Sequence, residues 1–264
     1  MNRLRAIAGA FVAYGYLAAC YVFIFLPVVV LVLFSFHAGD IPVPPFRGPT
    51  LAWYGRALAN ERLTDGLGNS LLVGAVSSAL SLLLGFLAAY GMTRYRFRGR
   101  SLVQAAIVLP MAVSYLIVGM GLLASASTLG LEPSLFLVVV GHVVINLPLA
   151  FAICLAQLGE HQLRVEQAAR DLGASTFHVL TRITVPMIAP ALIAAFCLCF
   201  TLSWDEFLIA FLVTRFDVTL PVVIWSLLRG GLNPQTNAVG SLVFGCSVLL
   251  AVSVEALLLG RKRS

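Results

Sequence analysis

"EQAARDLGASTFHVLTRITVP", residues 166–186, sits between two long apolar runs in a chain that otherwise carries few charges. Val165, Ala168, Ala169 and Leu172 fall at i, i+3, i+4 and i+7. That spacing draws one apolar stripe along a helix. The centre of the stripe is two alanines, so another surface can approach the backbone closely. Gly173 supplies a left-handed residue just past the helix end. Ser175 is placed to cap a second short helix over 176–184, and Pro186 marks entry into the next apolar run. Lipid-surface helices prefer large apolar residues with Lys and Arg flanks. Here the stripe is small, and Glu160, Glu166 and Asp171 offset Arg164, Arg170 and Arg182. A helix–glycine–helix unit of this kind suits docking by another protein better than lying on lipid.

The rest of the chain says what the unit is attached to. Of 264 residues, 60% are hydrophobic and only 11% charged. Soluble domains carry roughly 25% charged residues, so this is an integral membrane protein. The apolar runs are continuous, not alternating, which makes the spans helices and excludes a barrel. At about 20 apolar residues per span, six fit: 10–36, 69–92, 102–125, 135–157, 187–213 and 238–260. The first follows Arg3 and Arg5 like a secretory leader, but it exceeds a short leader core and no small-residue cleavage site ends it. The five cysteines, Cys20, Cys154, Cys197, Cys199 and Cys246, all lie in apolar stretches and read as small hydrophobes. The N-terminus, 93–101, 158–185 and the tail hold twelve of the 17 Lys and Arg, including four arginines in "TRYRFRGR". Positive loops face the cytoplasm, so both termini and the 166–186 unit are expected there. The net charge of +6 reflects this bias, and no aromatic-basic interleaving points to nucleic acid. On the outer side, 37–68 reads as a Pro-rich extended segment, then a short interfacial helix with Trp53 and Tyr54 as headgroup anchors. The loop 214–237 has room for a turn and another short helix.

The quoted stretch resembles the EAA loop of binding-protein-dependent ABC importer permeases: EAA, three residues, Gly, nine residues, then I-x-L-P. Ala168, Ala169, Gly173, Ile183 and Pro186 match, with Val185 for Leu. Gln167 stands where the motif has Glu; its neighbour Glu166 is a candidate substitute, though it points about 100° away on a helix. "NSLLVGAVSSAL" and "SWDEFLIAFLVT" extend the resemblance over nearly the whole chain. The run "FTLSWDEFLIAFLV" with "LPVVIWSLLRGGLNPQTNAVGSL" is most similar to the second permease of spermidine/putrescine importers. The resemblance implies an all-α, type I (MetI-like) permease fold, one transmembrane domain over 1–264, in the bacterial inner membrane. It implies that 158–185 is the coupling loop, with Glu166, Gln167, Ala168, Ala169, Asp171 and Gly173 serving docking to an ABC ATPase dimer. A second, non-identical permease and a periplasmic binding protein complete the implied set. ATP and Mg would bind on the ATPase; this chain has no G-x-x-x-x-G-K and no cofactor or metal site is expected on it.

Three acidic residues fall within spans: Asp205, Glu206 and Glu255. A charge at mid-bilayer costs about 2.5–3.5 kcal/mol on insertion scales. Glu255 is near the inner end, within reach of Arg261, Lys262 and Arg263. Asp205 and Glu206 lie roughly 12 Å from the outer end of the fifth span, with no obvious basic partner in the chain. Two readings stand open. The pair caps a break in the helix or meets an arginine of the partner permease. Alternatively, with Ser203 and the indole of Trp204 it meets a cationic substrate. On one continuous helix the two carboxylates differ by about 100°, so one would face the pathway and the other the partner permease; Asp205 is favoured for the pathway. The resemblance adds weight to the cationic reading and adds Tyr115. It also notes that Ser114 and Tyr115 stand where polyamine permeases often carry another acid, which implies a substrate with fewer charges. Aminophosphonates, amino-acid-like, neutral or anionic solutes remain alternatives. His142 and Asn146, i and i+4 on the fourth span, either line the pathway or are satisfied within the bundle. Gly85, Gly119 and Gly121 read as close-packing positions. A self-contained secondary transporter and an intramembrane enzyme are the competing classes. The docking helix argues against the first. Adjacent carboxylates that cannot flank one bond argue against the second.

Overall fold

The computed structural model describes residues 2–231 and 233–261, with side chains for 13–231, 233–249 and 252. The described residues are helical throughout apart from loops and one isolated bridge, His37 to Pro49. They group into two compact units. One is Met1–Glu61 with Ile224–Glu255; the other centres on Arg62–Val223.

In the first unit, α1 (Asn2–Ser35) contains an apolar stretch, Ala13–Ser35, long enough to cross a membrane. A loop follows, then α2 (Ala52–Leu58). The expected extended segment and short helix are both present, but Trp53 is not a headgroup anchor. Its ring is buried, and its indole N–H donates to the His37 carbonyl at 2.8 Å. The loop's backbone polar groups need partners inside the chain, and the indole supplies one. Tyr54 likewise shares a hydrogen bond with Ser35. At the other end of this unit is α12 (Pro234–Arg261), where Gly240 lets Leu31 of α1 approach closely.

The second unit opens with α3 (Glu61–Arg94), which is longer than the expected span and ends as the arginine block begins. Asn69, near its start, donates to the Val218 carbonyl at 3.0 Å, and Ser70 accepts from the N–H of Leu220, the first residue of α11 (Leu220–Arg229). The third span, expected over 102–125, is broken. α4 (Arg100–Val108) tightens into a 3-10 turn through Pro110, Val113 and Ser114 are extended, and α5 (Tyr115–Thr128) leaves at 108°. Pro110 cannot donate to the ladder, which favours an end there. α6 (Leu135–Gln157) falls at the expected bounds and is the central helix of the unit.

α7 (Glu160–Asp171) and α8 (Thr176–Val179) form the helix–glycine–helix unit. The second helix does not stop at 184. It runs through a π turn (Leu180–Thr184) directly into α9 (Val185–Asp205), so Thr176–Asp205 is one long rod. α9 ends at Asp205, and α10 (Leu208–Val213) restarts after a two-residue break. Two apolar clusters pack around α6. One holds Val73, Val138, Ile145 and Ile209; the other holds Phe86, Met92, Phe151 and Ile188. Helix association in lipid depends on such close packing, since there is no water to expel. Gly85 and Gly119 are the close-approach points expected: a Cβ on Gly85 would sit 2.7 Å from the Phe151 nitrogen. Gly121 is not; nothing lies within 4 Å of its added Cβ.

Candidate functional site

The break after α9 rearranges the acidic pair. Asp205 is the last helical residue, while Glu206 is extended, at φ −73° and ψ 121°. The two carboxylates are therefore not neighbours on one helix, and the 100° argument does not apply. Glu206 is buried and folds over the start of α10. Its oxygens accept from the Ile209 N–H at 2.9 and 3.1 Å and from the Ala210 N–H at 3.3 Å. The first N–H groups of a helix have no partner in the helix itself, so the carboxylate satisfies them. A basic partner does exist: His142 Nε2 lies 3.1 Å from Glu206 Oε2, with both side chains 1% exposed.

The network continues inward. His142 Nδ1 is 2.6 Å from Ser203 Oγ, and Ser203 Oγ is 3.1 Å from Ser77 Oγ. The buried side chains of Ser77, His142, Ser203 and Glu206 thus join α3, α6, α9 and the cap of α10. One turn along α6, Asn146 donates to the Cys199 carbonyl at 3.2 Å. His142 is satisfied within the bundle through both ring nitrogens, whereas Asn146 is held there through its amide nitrogen alone. Asn146 Oδ1 and Ser78 Oγ are buried with no hydrogen-bond partner among the described residues.

Asp205 is exposed and enters no ion pair among the described residues. Trp204 is mostly buried and stacks on Phe200 at 6.2 Å, so one of its faces is already covered. Tyr115 starts α5 just after the broken span and is 39% exposed; no hydrogen bond joins it to the buried network among the described residues. The side chain of Glu255 lies outside the described residues.

α7 has two faces. Gln167, Ala168 and Asp171 are exposed, Ala169 is half-buried, and Leu172 at the helix end is 90% exposed. Gly173, at φ +88°, ends the helix: its N–H donates to Arg170 O at 2.9 Å and the Ala174 N–H to Ala169 O at 3.0 Å. This is the paired 5→2 and 6→1 closure of a Schellman end. Ser175 caps α8 through the His178 N–H at 3.3 Å. Ala169, Leu172, Gly173, Ala174, Ser175, His178 and Ile183 line a shallow open groove.

Glu166 is on the other face. It is 1% exposed and held by Arg94 through two bonds, Nε to Oε2 at 2.8 Å and Nη2 to Oε1 at 2.9 Å. Its side chain is turned away from the exposed face that carries Gln167, the residue at the motif glutamate's position. Sequence reasoning missed Arg94, Thr184, Tyr90 and Ser77. The one available sign was that Arg94 stands at the span's end, before the other arginines.

Residues 81–260 match the family described as binding-protein-dependent transport system inner membrane component. The chain belongs to that family. Its members are transport subunits of ABC importers, not enzymes. The chain is 28% identical to the spermidine/putrescine transport system permease protein PotC of Escherichia coli K12 over 243 residues, 91% of each chain. It is 32% identical to the putrescine transport system permease protein PotI of the same organism over 233 residues, 85% of this chain and 83% of the relative. Among solved structures, a bacterial ABC transporter that imports the acidic polysaccharide alginate matches with a TM-score of 0.69 at 20% identity, covering 98% of this chain and 96% of that one. The MetNI methionine transporter matches with a TM-score of 0.61 at 15% identity, covering 75% and 95%. These likenesses give the binding-protein-dependent permease its MetI-like, all-helical fold.

Proposed function

We propose that this permease moves a small cationic solute, a polyamine such as putrescine or spermidine, from the periplasm to the cytoplasm. The observation that carries the reading is likeness to PotC and PotI over 85% or more of the chain. The exposed Asp205 carboxylate at a helix break is consistent with it. In this reading 1–264 is one permease domain with six spans, both termini cytoplasmic, in the bacterial inner membrane. It pairs with a second, non-identical permease and receives solute from a periplasmic binding protein. α7 and the groove at Gly173 dock on an ABC ATPase dimer, which binds ATP and Mg; Gln167, Ala168, Ala169, Asp171 and Gly173 form the contact. Alternating access follows ATPase closure.

One observation favours a second reading of the solute. Glu206 is consumed by His142 and two amide groups, which leaves one free carboxylate at the break. A solute with a single positive charge, amino-acid-like or an aminophosphonate, fits that count. The deciding experiment is ATPase stimulation of the reconstituted complex, with its binding protein, by putrescine, spermidine, aminophosphonate, and neutral and anionic solutes. Polyamine stimulation that weakens in Asp205→Asn supports the first reading. Stimulation by neutral or anionic solutes alone, indifferent to that change, would refute a cationic pathway. Gly173→Trp should abolish co-purification with the ATPase; retention would sink the docking assignment.

A further inference from the structure

α7 meets the inner end of α3 through two rungs. Glu166 and Arg170 are i, i+4 on α7, and Tyr90 and Arg94 are i, i+4 on α3. Residues so spaced share one helix face. Glu166 pairs with Arg94, and one turn away Arg170 Nη2 donates to the Tyr90 hydroxyl at 3.3 Å. The Arg94 guanidinium also lies over the Tyr90 ring, 5.8 Å from its centroid. The Glu166 rung reaches further than two helices. Thr184, in the π turn before α9, donates its hydroxyl to Glu166 Oε1 at 2.9 Å. Arg94 Nη1 donates to the Leu158 carbonyl, just ahead of α7, at 3.4 Å. One buried carboxylate therefore joins the end of α3, the middle of α7 and the start of α9.

We propose that Glu166 and Arg94 are positioning residues for energy coupling: they fix α7 to the inner ends of α3 and α9, so that a push on α7 moves these segments as one body. The proposal rests on the reading of α7 as the ATPase-docking helix. Holding helices together does not need an ion pair. Replacing a buried pair by well-packed apolar residues is often neutral or stabilising. An apolar contact lets one helix slide on another, whereas slipping α7 by one turn, about 5.4 Å, would strip both charges of their partners. The pair specifies register, and register is what a transmission element needs. Its side chains are 4% and 1% exposed, so neither reaches an ATPase directly.

The test uses the intact complex of permease pair, ATPase dimer and binding protein in proteoliposomes, with putrescine as solute. Glu166→Gln leaves Arg94 half-paired, so the apolar double variant Arg94→Leu with Glu166→Leu is run beside it. The double variant should assemble at wild-type stoichiometry and keep basal ATP hydrolysis. Its stimulation by the loaded binding protein, and its uptake per ATP, should fall about tenfold, within the usual range of coupling between sites. Arg94→Lys keeps the charge but loses the two-pronged geometry and should fall between. An assembled double variant with wild-type stimulation and uptake per ATP overturns the proposal. So does failure of the double variant to assemble, which would make the pair a folding element. A wild-type chain that recruits no ATPase is a separate failure, of the docking reading, and takes this proposal with it.

Discussion

Glu206→Gln and Glu206→Leu should behave very differently, although both remove the same charge. With glutamine at this position the amide oxygen can still accept from the Ile209 N–H, which lies 2.9 Å from Glu206 Oε1. The amide nitrogen can donate to His142 Nε2 if the imidazole carries its proton on Nδ1 and donates it to Ser203 Oγ, 2.6 Å away. The hydrogen-bond chain reverses direction and stays closed, at a cost of about 1 kcal/mol, the net worth of one ordinary hydrogen bond. A leucine side chain offers nothing. The N–H groups of Ile209 and Ala210 and one nitrogen of His142 are left buried and unpaired. At about 1–3 kcal/mol for each such group, the loss is roughly 3–6 kcal/mol after allowing for partial relaxation. The assay is equilibrium unfolding of the purified permease in mixed micelles, with uptake measured on the same preparations. Glu206→Gln should unfold near wild type and transport with KM little changed. Equal stability of the two variants would refute the cap-and-network account. A large rise in KM for Glu206→Gln without loss of stability would instead return Glu206 to the solute pathway.

The other sites separate in the same way. Asp205→Asn should leave stability within about 0.5 kcal/mol, as for exposed positions generally. It should raise the KM for putrescine about tenfold, the low end for losing a hydrogen bond to a charged group; unchanged uptake kinetics would count against it. Gly173→Ala places a Cβ at φ +88°, which costs about 1–2 kcal/mol. Weaker ATPase retention in a pull-down is expected, and undiminished retention would count against the docking role of this helix end. Gly85→Ala must force apart α3 and α6, because its Cβ would lie 2.7 Å from backbone of Phe151; overpacking of this kind costs about 1–3 kcal/mol. Gly121→Ala meets nothing and should be neutral or slightly stabilising, since alanine is the better helix former. Identical unfolding midpoints for these two variants would show that the α3–α6 approach is not as close as described.

What can be read from the sequence depends on whether the deciding physics is local. Gly173 and Ser175 are legible because a helix end needs a left-handed residue and a cap near in sequence, and both are present. The α6 bounds are legible because Pro133 and Ser134 stand just before the apolar run and Gly159 and Glu160 just after it, although Pro148 lies inside the helix. The place of Trp53 is not, because its partner, the His37 carbonyl, is sixteen residues away across an irregular loop. The breaks at Ser114 and Glu206 are hidden for a further reason. Hydropathy averages over a window, and an apolar run looks the same whether straight or bent by 108°. Pro110 is a local sign of the first break, but the second is marked only by Glu206, whose partner His142 is 64 positions away; Glu166 is as far from its own partner, with Arg94 72 positions away. In the sequence Glu206 is a costly charge that asks for a ligand or a partner subunit, and Glu166 is a residue of the docking helix. In the structure each is answered inside the chain, by a basic side chain on another helix. For an acid buried in a permease, an intrachain partner on a neighbouring span therefore has to be tested first. For Asp205, which is exposed, the same search finds no ion pair among the described residues.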